Sequence, residues 1–272
     1  MIRLEHIQIG YGHCVIAQND NDIACAKGKF ITLIGANGTG KSTLLRAISN
    51  NQHVIKGTIH INNININNIS DLDKSKSIAV VLTNREFSQF LTVEEILYLS
   101  RAPYTNFIGK LTPSDIAFVE EIMTDFEILK MRSRRLSTLS DGQLQRVLIA
   151  RALVQDTPYI LMDEPTSHLD VHHKAEILLK LRDYCHQHQK CIIFSSHELS
   201  IALALADEVV AIHDLKLTHQ SKAEFIATGM LAKMFPSPLL DFKDGLLGLK
   251  INDDKSKTPH NFKFLNLLQP LY

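Results

Sequence analysis

Apolar and polar positions alternate in different ways along the 272-residue chain. Residues 2–9 and 14–18 alternate or carry short apolar runs, the pattern of strands. Gly57-Thr58-Ile59-His60-Ile61 followed by Asn62-Asn63 predicts a strand entering a tight hairpin, because asparagine tolerates positive φ. The asparagine-rich run 61–69 reads as turn chemistry. Unbroken apolar runs at Phe30–Ile34, Ile78–Leu82, Tyr159–Met162, Cys191–Phe194 and Val209–Ile212 predict strands buried on both faces.

From about residue 92 the spacing becomes helical. Thr92 and Glu95 predict a capping box ahead of Ile96, Leu97 and Leu99. Thr112-Pro113 opens a second helix with Ile116, Val119, Ile122 and Met123 along one stripe. Further helices are expected at about 171–188 and 198–206. Strands alternating with helices predict an α/β fold with a mainly parallel core sheet, preceded by an antiparallel β portion and interrupted by a helical insertion. The expected division is a domain over 1–250, with the insertion at about 85–155, and a tail over 251–272. The segment Asn252–Lys257 reads as solvated and mobile.

Composition narrows the classes. Lys plus Arg and Asp plus Glu each number 29, so no net field draws the chain toward nucleic acid. No apolar stretch reaches the roughly 20 residues a membrane helix needs, and Met1-Ile2-Arg3-Leu4-Glu5 is not a signal peptide. Cys14, Cys25, Cys185 and Cys191 form no CxxC pair and read as reduced core thiols of a cytosolic protein.

Gly35-Ala36-Asn37-Gly38-Thr39-Gly40-Lys41-Ser42-Thr43 lies between an apolar run and a helical stretch beginning at Leu44. Strand, GxxxxGK[ST] loop and helix in this order separate a phosphate-binding loop from an ordinary glycine-rich turn. Backbone N–H groups and the helix N-terminus would hold the phosphates of a nucleoside triphosphate, Lys41 would reach the β- and γ-phosphates, and the Ser42 hydroxyl would ligate Mg²⁺. The run Ile160-Leu161-Met162-Asp163-Glu164-Pro165 ends a buried strand in two acids, which places carboxylates at the carboxyl edge of the sheet. Asp163 would hold Mg²⁺ through water and Glu164 would polarise the attacking water.

Leu139-Ser140-Asp141-Gly142-Gln143, followed by Gln145-Arg146, resembles the LSGGQ signature of ABC-type ATPases. The order of phosphate loop, helical insertion, signature, acidic strand, Ser167-His168-Leu169-Asp170 and then His197 fits that family over about residues 1–250. The resemblance implies that Tyr11 stacks on adenine. It further implies that Ser140, Asp141, Gly142 and Gln143 serve the nucleotide of a second copy in a head-to-tail homodimer. Asp170 would belong to the loop joining the two sites, and His197 would contact the γ-phosphate and support Glu164.

Each position has a plainer reading: Tyr11 as a strand-end aromatic, Ser140 with Gln143 as a capping box, His197 as a helix-start polar residue. His168, His172, His173, His186 and His188 read as solvated surface.

Two departures stand out. The family's glutamine after the strand at 78–82 is replaced, Asn84 being the nearest match for contact with Mg²⁺ or water. Asp141 stands where the signature has glycine, putting an acid near a phosphate.

Arg101-Ala102-Pro103-Tyr104-Thr105-Asn106 is similar to a string in the ATPase subunits of importers for ferric siderophores, haem and cobalamin. That branch implies membrane permease subunits as partners, a substrate-binding protein reached through them, and a place on the cytoplasmic face of the membrane. Tyr104 is then either an anchor for the permease or a packing residue of the insertion. The rival readings are the ATPase of another transporter class and a soluble ABC ATPase outside transport.

Overall fold

The computed structural model describes residues 1–82, 88, 90–105, 109–167 and 169–236, with the backbone of 240–243 and 246–249. Asn84, Asn106, His168 and the tail over 251–272 lie outside the described residues.

The N-terminal portion is antiparallel. β1 (Ile2–Tyr11) pairs with β2 (Cys14–Gln18) and β3 (Ile23–Cys25). β4 (Phe30–Gly35) is buried along its whole length and runs through residues 36–40 into α1 (Lys41–Ile48). β5 (Lys56–Ile61) turns at Asn62 and Asn63, both at positive φ, into the two-residue β6 (Ile64–Asn65), as the paired asparagines predict. α2 (Asp71–Ser77) precedes β7 (Ile78–Val81).

The insertion holds α3 (Val93–Leu99), α4 (Pro113–Asp125) and α5 (Asp141–Val154). Thr92 with Glu95, Thr112 with Asp115 and Ser140 with Gln143 all form reciprocal capping boxes. Val119, Ile122 and Met123 are buried, but Ile116 of the expected stripe and Leu99 of α3 are exposed.

The chain then returns to the sheet with β8 (Tyr159–Met162), α6 (Val171–Gln187), β9 (Cys191–Ser195), α7 (Leu199–Leu205), β10 (Glu208–His213) and β11 (Lys216–Ser221). α8 (Lys222–Ala227), α9 (Met230–Met234) and the hairpin of β12 (Leu240–Lys243) with β13 (Leu246–Leu249) complete the described elements.

The main sheet runs β6-β5-β1-β2-β11-β10-β4-β9-β8-β7. Neighbours from β10 to β7 are parallel, while β10 and β11 are antiparallel. Strand period decides which core each side chain enters. Ile160, Met162, Ile192 and Phe194 point into the core formed with α3 to α6. Tyr159, Leu161, Cys191 and Ile193 point the other way, into the core holding Leu44, Leu45 and Ile48 of α1. β4, β8 and β9 are covered on both faces, which explains their unbroken apolar runs. Cys25, Cys185 and Cys191 are buried and free as expected; Cys14 is free but exposed, because it sits at the β1–β2 turn and not in the core.

Candidate functional site

β4 delivers the phosphate loop to the carboxyl edge of the parallel strands. Gly40 has φ of 102°, and a Cβ there would lie 2.7 Å from Ile16 Cγ2, so both conformation and space require glycine. A Cβ on Gly35 would lie 2.4 Å from Thr39 Oγ1. The loop closes on Ala36, whose carbonyl accepts from Thr39 Oγ1 at 2.9 Å. Gly40 gives α1 no side-chain cap, which leaves the first-turn N–H groups for an anion.

Lys41 is buried beneath this loop, and its Nζ donates to the Gly35 carbonyl at 2.8 Å and the Ala36 carbonyl at 3.1 Å. Burial lowers the pKa of its ammonium, while Glu164 and Asp163 act in the opposite direction. Thr43 Oγ1 lies 3.2 Å from Tyr11 Oη, so the exposed Tyr11 ring is tied to the first turn of α1.

Two neighbouring strand ends build the acidic part of the site. Parallel register sets Met162 of β8 beside Phe194 of β9, so the residues that follow each strand meet. Asp163 donates its N–H to the Val81 carbonyl at 2.8 Å, and its Oδ1 accepts from Ser195 Oγ at 2.7 Å. The same Ser195 hydroxyl accepts from Glu164 N–H at 2.9 Å. Glu164 has φ of 50°, uncommon for a residue with a side chain. Glu164 Oε1 lies 2.6 Å from His197 Nε2.

Asp163 Oδ2 is buried and has no hydrogen-bond partner. An unsatisfied carboxylate oxygen is costly unless a cation or donor meets it, and a hard, oxygen-seeking ion such as Mg²⁺ suits it. The residues present therefore fit Mg²⁺ with a triphosphate. Ser195 belongs to none of the sequence motifs, and only the polar Ser195-Ser196-His197 run at the end of β9 marks it.

The signature residues lie at the start of α5, where Ser140 accepts from Gln143 N–H and Gln143 Oε1 accepts from Ser140 N–H. Asp141 occupies the first turn of α5, where the helix dipole favours an acid. Asp170 caps α6, accepting from His173 N–H at 3.0 Å and lying 2.6 Å from His173 Nδ1. The structure thus joins Lys41, Asp163, Glu164 and His197 through hydrogen bonds and charge within one chain.

Arg101 is buried with its guanidinium on Asp115 Oδ1, at 2.9 Å from Nε and 2.7 Å from Nη2, and on the Val154 carbonyl at 3.1 Å from Nη1. Its guanidinium carbon lies 4.4 Å from the centre of the Tyr104 ring. Tyr104 Oη donates to the Asp156 carbonyl at 3.4 Å. These contacts support the packing reading of Tyr104, although part of its ring is exposed.

The family model described as ABC transporter matches residues 19–167, across the phosphate loop, the signature and the acidic strand. The chain belongs to the ABC transporter family. This ABC ATPase is 31% identical over 264 residues to an ABC transporter ATP-binding protein of Methanocaldococcus jannaschii, covering 94% of this chain and 89% of that one. It is 35% identical over 208 residues to the iron(3+)-hydroxamate import ATP-binding protein of Bacillus subtilis, covering 76% of this chain and 77% of that one. It is 34% identical over 187 residues to a cobalamin import ATP-binding protein of Halobacterium salinarum, covering 69% of this chain and 46% of that one. Its fold matches that of an ABC transporter ATP-binding subunit with a TM-score of 0.74 at 22% identity, covering 85% of this chain and 94% of the other.

Proposed function

We propose that this ABC ATPase is the ATP-hydrolysing subunit of an importer for iron chelates or cobalamin. In this reading it works as a homodimer beneath membrane permease subunits, on the cytoplasmic face of the membrane, with a substrate-binding protein acting through the permease. The pairing of Glu164 with His197 at 2.6 Å, beside the unsatisfied Asp163 Oδ2, carries the hydrolytic half of the proposal. The import half draws on the relatives named for iron(3+)-hydroxamate and cobalamin import and on the Arg101–Tyr104 string.

The residues divide the work as follows. The loop amides, the N-terminus of α1 and Lys41 bind and orient the β- and γ-phosphates, and Tyr11 packs on adenine. Ser42 and Asp163 hold Mg²⁺, which neutralises phosphate charge when bound. Ser195 holds Asp163 Oδ1 and the Glu164 N–H together, so one hydroxyl ties the Asp163 carboxylate to the backbone that carries Glu164. Glu164 accepts the proton of the attacking water, and His197 holds its carboxylate in place. Ser140, with the amides opening α5, contacts the γ-phosphate bound to the partner copy, and Asp170 joins the two sites.

The test is uptake in cells that lack this chain. Loss of iron-chelate or cobalamin uptake, restored by the wild-type chain and not by Glu164→Gln, is the expected result. Uptake of all these cargoes at normal rates would overturn the cargo reading. Failure to co-purify with any polytopic membrane protein would favour the soluble, non-transport ABC ATPase.

A further inference from the structure

α6 opens with Val171-His172-His173-Lys174-Ala175-Glu176. Residues three and four apart share a helix face, so both imidazoles can reach the Glu176 carboxylate. One ligand atom from each of His172, His173 and Glu176 lies within 4.8 Å of the other two. A tetrahedral ion with bonds of about 2.0–2.2 Å holds its ligand atoms roughly 3.4 Å apart. Closing that difference requires the side chains to rotate, which their partial exposure permits. We propose that His172, His173 and Glu176 form a binding site for a divalent transition metal such as Zn²⁺, formed by two imidazoles and one carboxylate on the first turns of α6.

Two features of the surroundings support this assignment. Asp170 Oδ2 lies 2.6 Å from His173 Nδ1. A carboxylate on one ring nitrogen fixes the orientation of the imidazole, the usual support behind a metal-binding histidine. That acid also offsets the positive end of the helix dipole, which otherwise disfavours a cation here.

The second feature is that both ion-pair partners of Glu176 have another acid beside them. Its Oε1 meets Lys180 Nζ at 2.8 Å and its Oε2 meets Arg146 Nη2 at 3.5 Å. Both cations are also held by Glu127, Arg146 at 3.0 Å and Lys180 at 2.8 Å. Turning Glu176 toward a metal therefore leaves neither cation without a carboxylate. Imidazole with carboxylate suits Zn²⁺, Ni²⁺ and Cu²⁺ more than Mg²⁺ or Ca²⁺. The site is separate from the phosphate loop and does not rest on the transport reading.

The experiment measures Zn²⁺ binding to the purified full chain by competition with a chromophoric chelator, in excess Mg²⁺ and without nucleotide. One Zn²⁺ per chain is expected, with affinity falling about tenfold or more in His172→Ala and in His173→Ala. His188→Ala, at the other end of α6, is expected to bind like the wild type. Because Glu176→Gln also loosens the ion pairs of Arg146 and Lys180, the two histidine variants decide the matter. Affinity within about twofold of wild type in both, or no Zn²⁺ binding by the wild type, overturns the site.

Discussion

His197 Nε2 and Glu164 Oε1 lie 2.6 Å apart, although 33 residues separate them in the chain. The two belong to the ends of adjacent parallel strands, and Ser195 ties the Glu164 backbone to the same strand end. A carboxylate that meets an imidazole, on a backbone itself anchored by a hydroxyl, is oriented before any water arrives. Glu164→Gln keeps this shape but removes the base. ATP binding is expected to persist while steady-state phosphate release falls by on the order of 10²-fold or more. Near-normal release would remove Glu164 from the chemistry.

Ser195→Ala tests the positioning role. The change deletes the donor to Asp163 Oδ1 and the acceptor for Glu164 N–H together. We expect kcat to fall about tenfold or more, with a rise in the Mg²⁺ concentration needed for half-maximal activity. Ser195→Thr, which restores the hydroxyl, is expected to recover part of both. A fall in thermal stability with an unchanged Mg²⁺ requirement would show that Ser195 only packs.

Lys41→Ala and Ser140→Arg together test sites shared between two copies. Lys41→Ala removes the cation meeting the β- and γ-phosphates and is expected to weaken binding of a fluorescent ATP analogue. Mixing the two variant chains yields heterodimers in which one of the two sites carries neither change. Recovered hydrolysis in the mixture supports composite sites, whereas full-rate hydrolysis by an isolated monomer rules them out.

Tyr104→Ala separates packing from permease contact. Its ring covers the Arg101 guanidinium, so truncation is expected to cost about 2 kcal/mol of stability, read as a lower Tm of the purified chain. Unchanged Tm with impaired cargo uptake would instead assign Tyr104 to the permease interface.

Asp115 gives a pH signature in the same cluster. Hydrogen bonds from the Thr112 hydroxyl and N–H, and then Arg101, hold its carboxyl at about 2. A depressed folded-state value stabilises the protein above the ordinary carboxylate range and loses that contribution as pH falls. The Tm difference between wild type and Asp115→Asn is therefore expected to be full near neutral pH and to shrink from about pH 4 to about pH 2. A difference independent of pH would assign the loss to packing alone.

Contiguous chemistry was legible in the residues themselves. A phosphate loop needs its glycines, Lys41 and Ser42 in one short stretch after a strand. The boxes at Thr92 and Glu95 and at Ser140 and Gln143 close over three residues, so spacing alone exposes them. The buried strands announced themselves because both faces of β4, β8 and β9 are apolar. α2 gave no such signal: it has no buried residue, and its helix rests on a Ser70 cap and polar side chains.

By itself, then, the sequence determined the order of the motifs and the strand–helix alternation, and it marked the candidates for nucleotide contact. Tertiary structure alone decided which distant groups share an atom. Strand register put Ser195 on Asp163 and His197 on Glu164. Packing of the insertion set Arg101 against both Asp115 and the Val154 carbonyl. The fold also brought Glu127 and Glu176 together onto Arg146 and Lys180. Hydrogen bonds and ion pairs of this kind depend on ångström-scale distances between elements far apart in the chain, which no local spacing of residue types encodes.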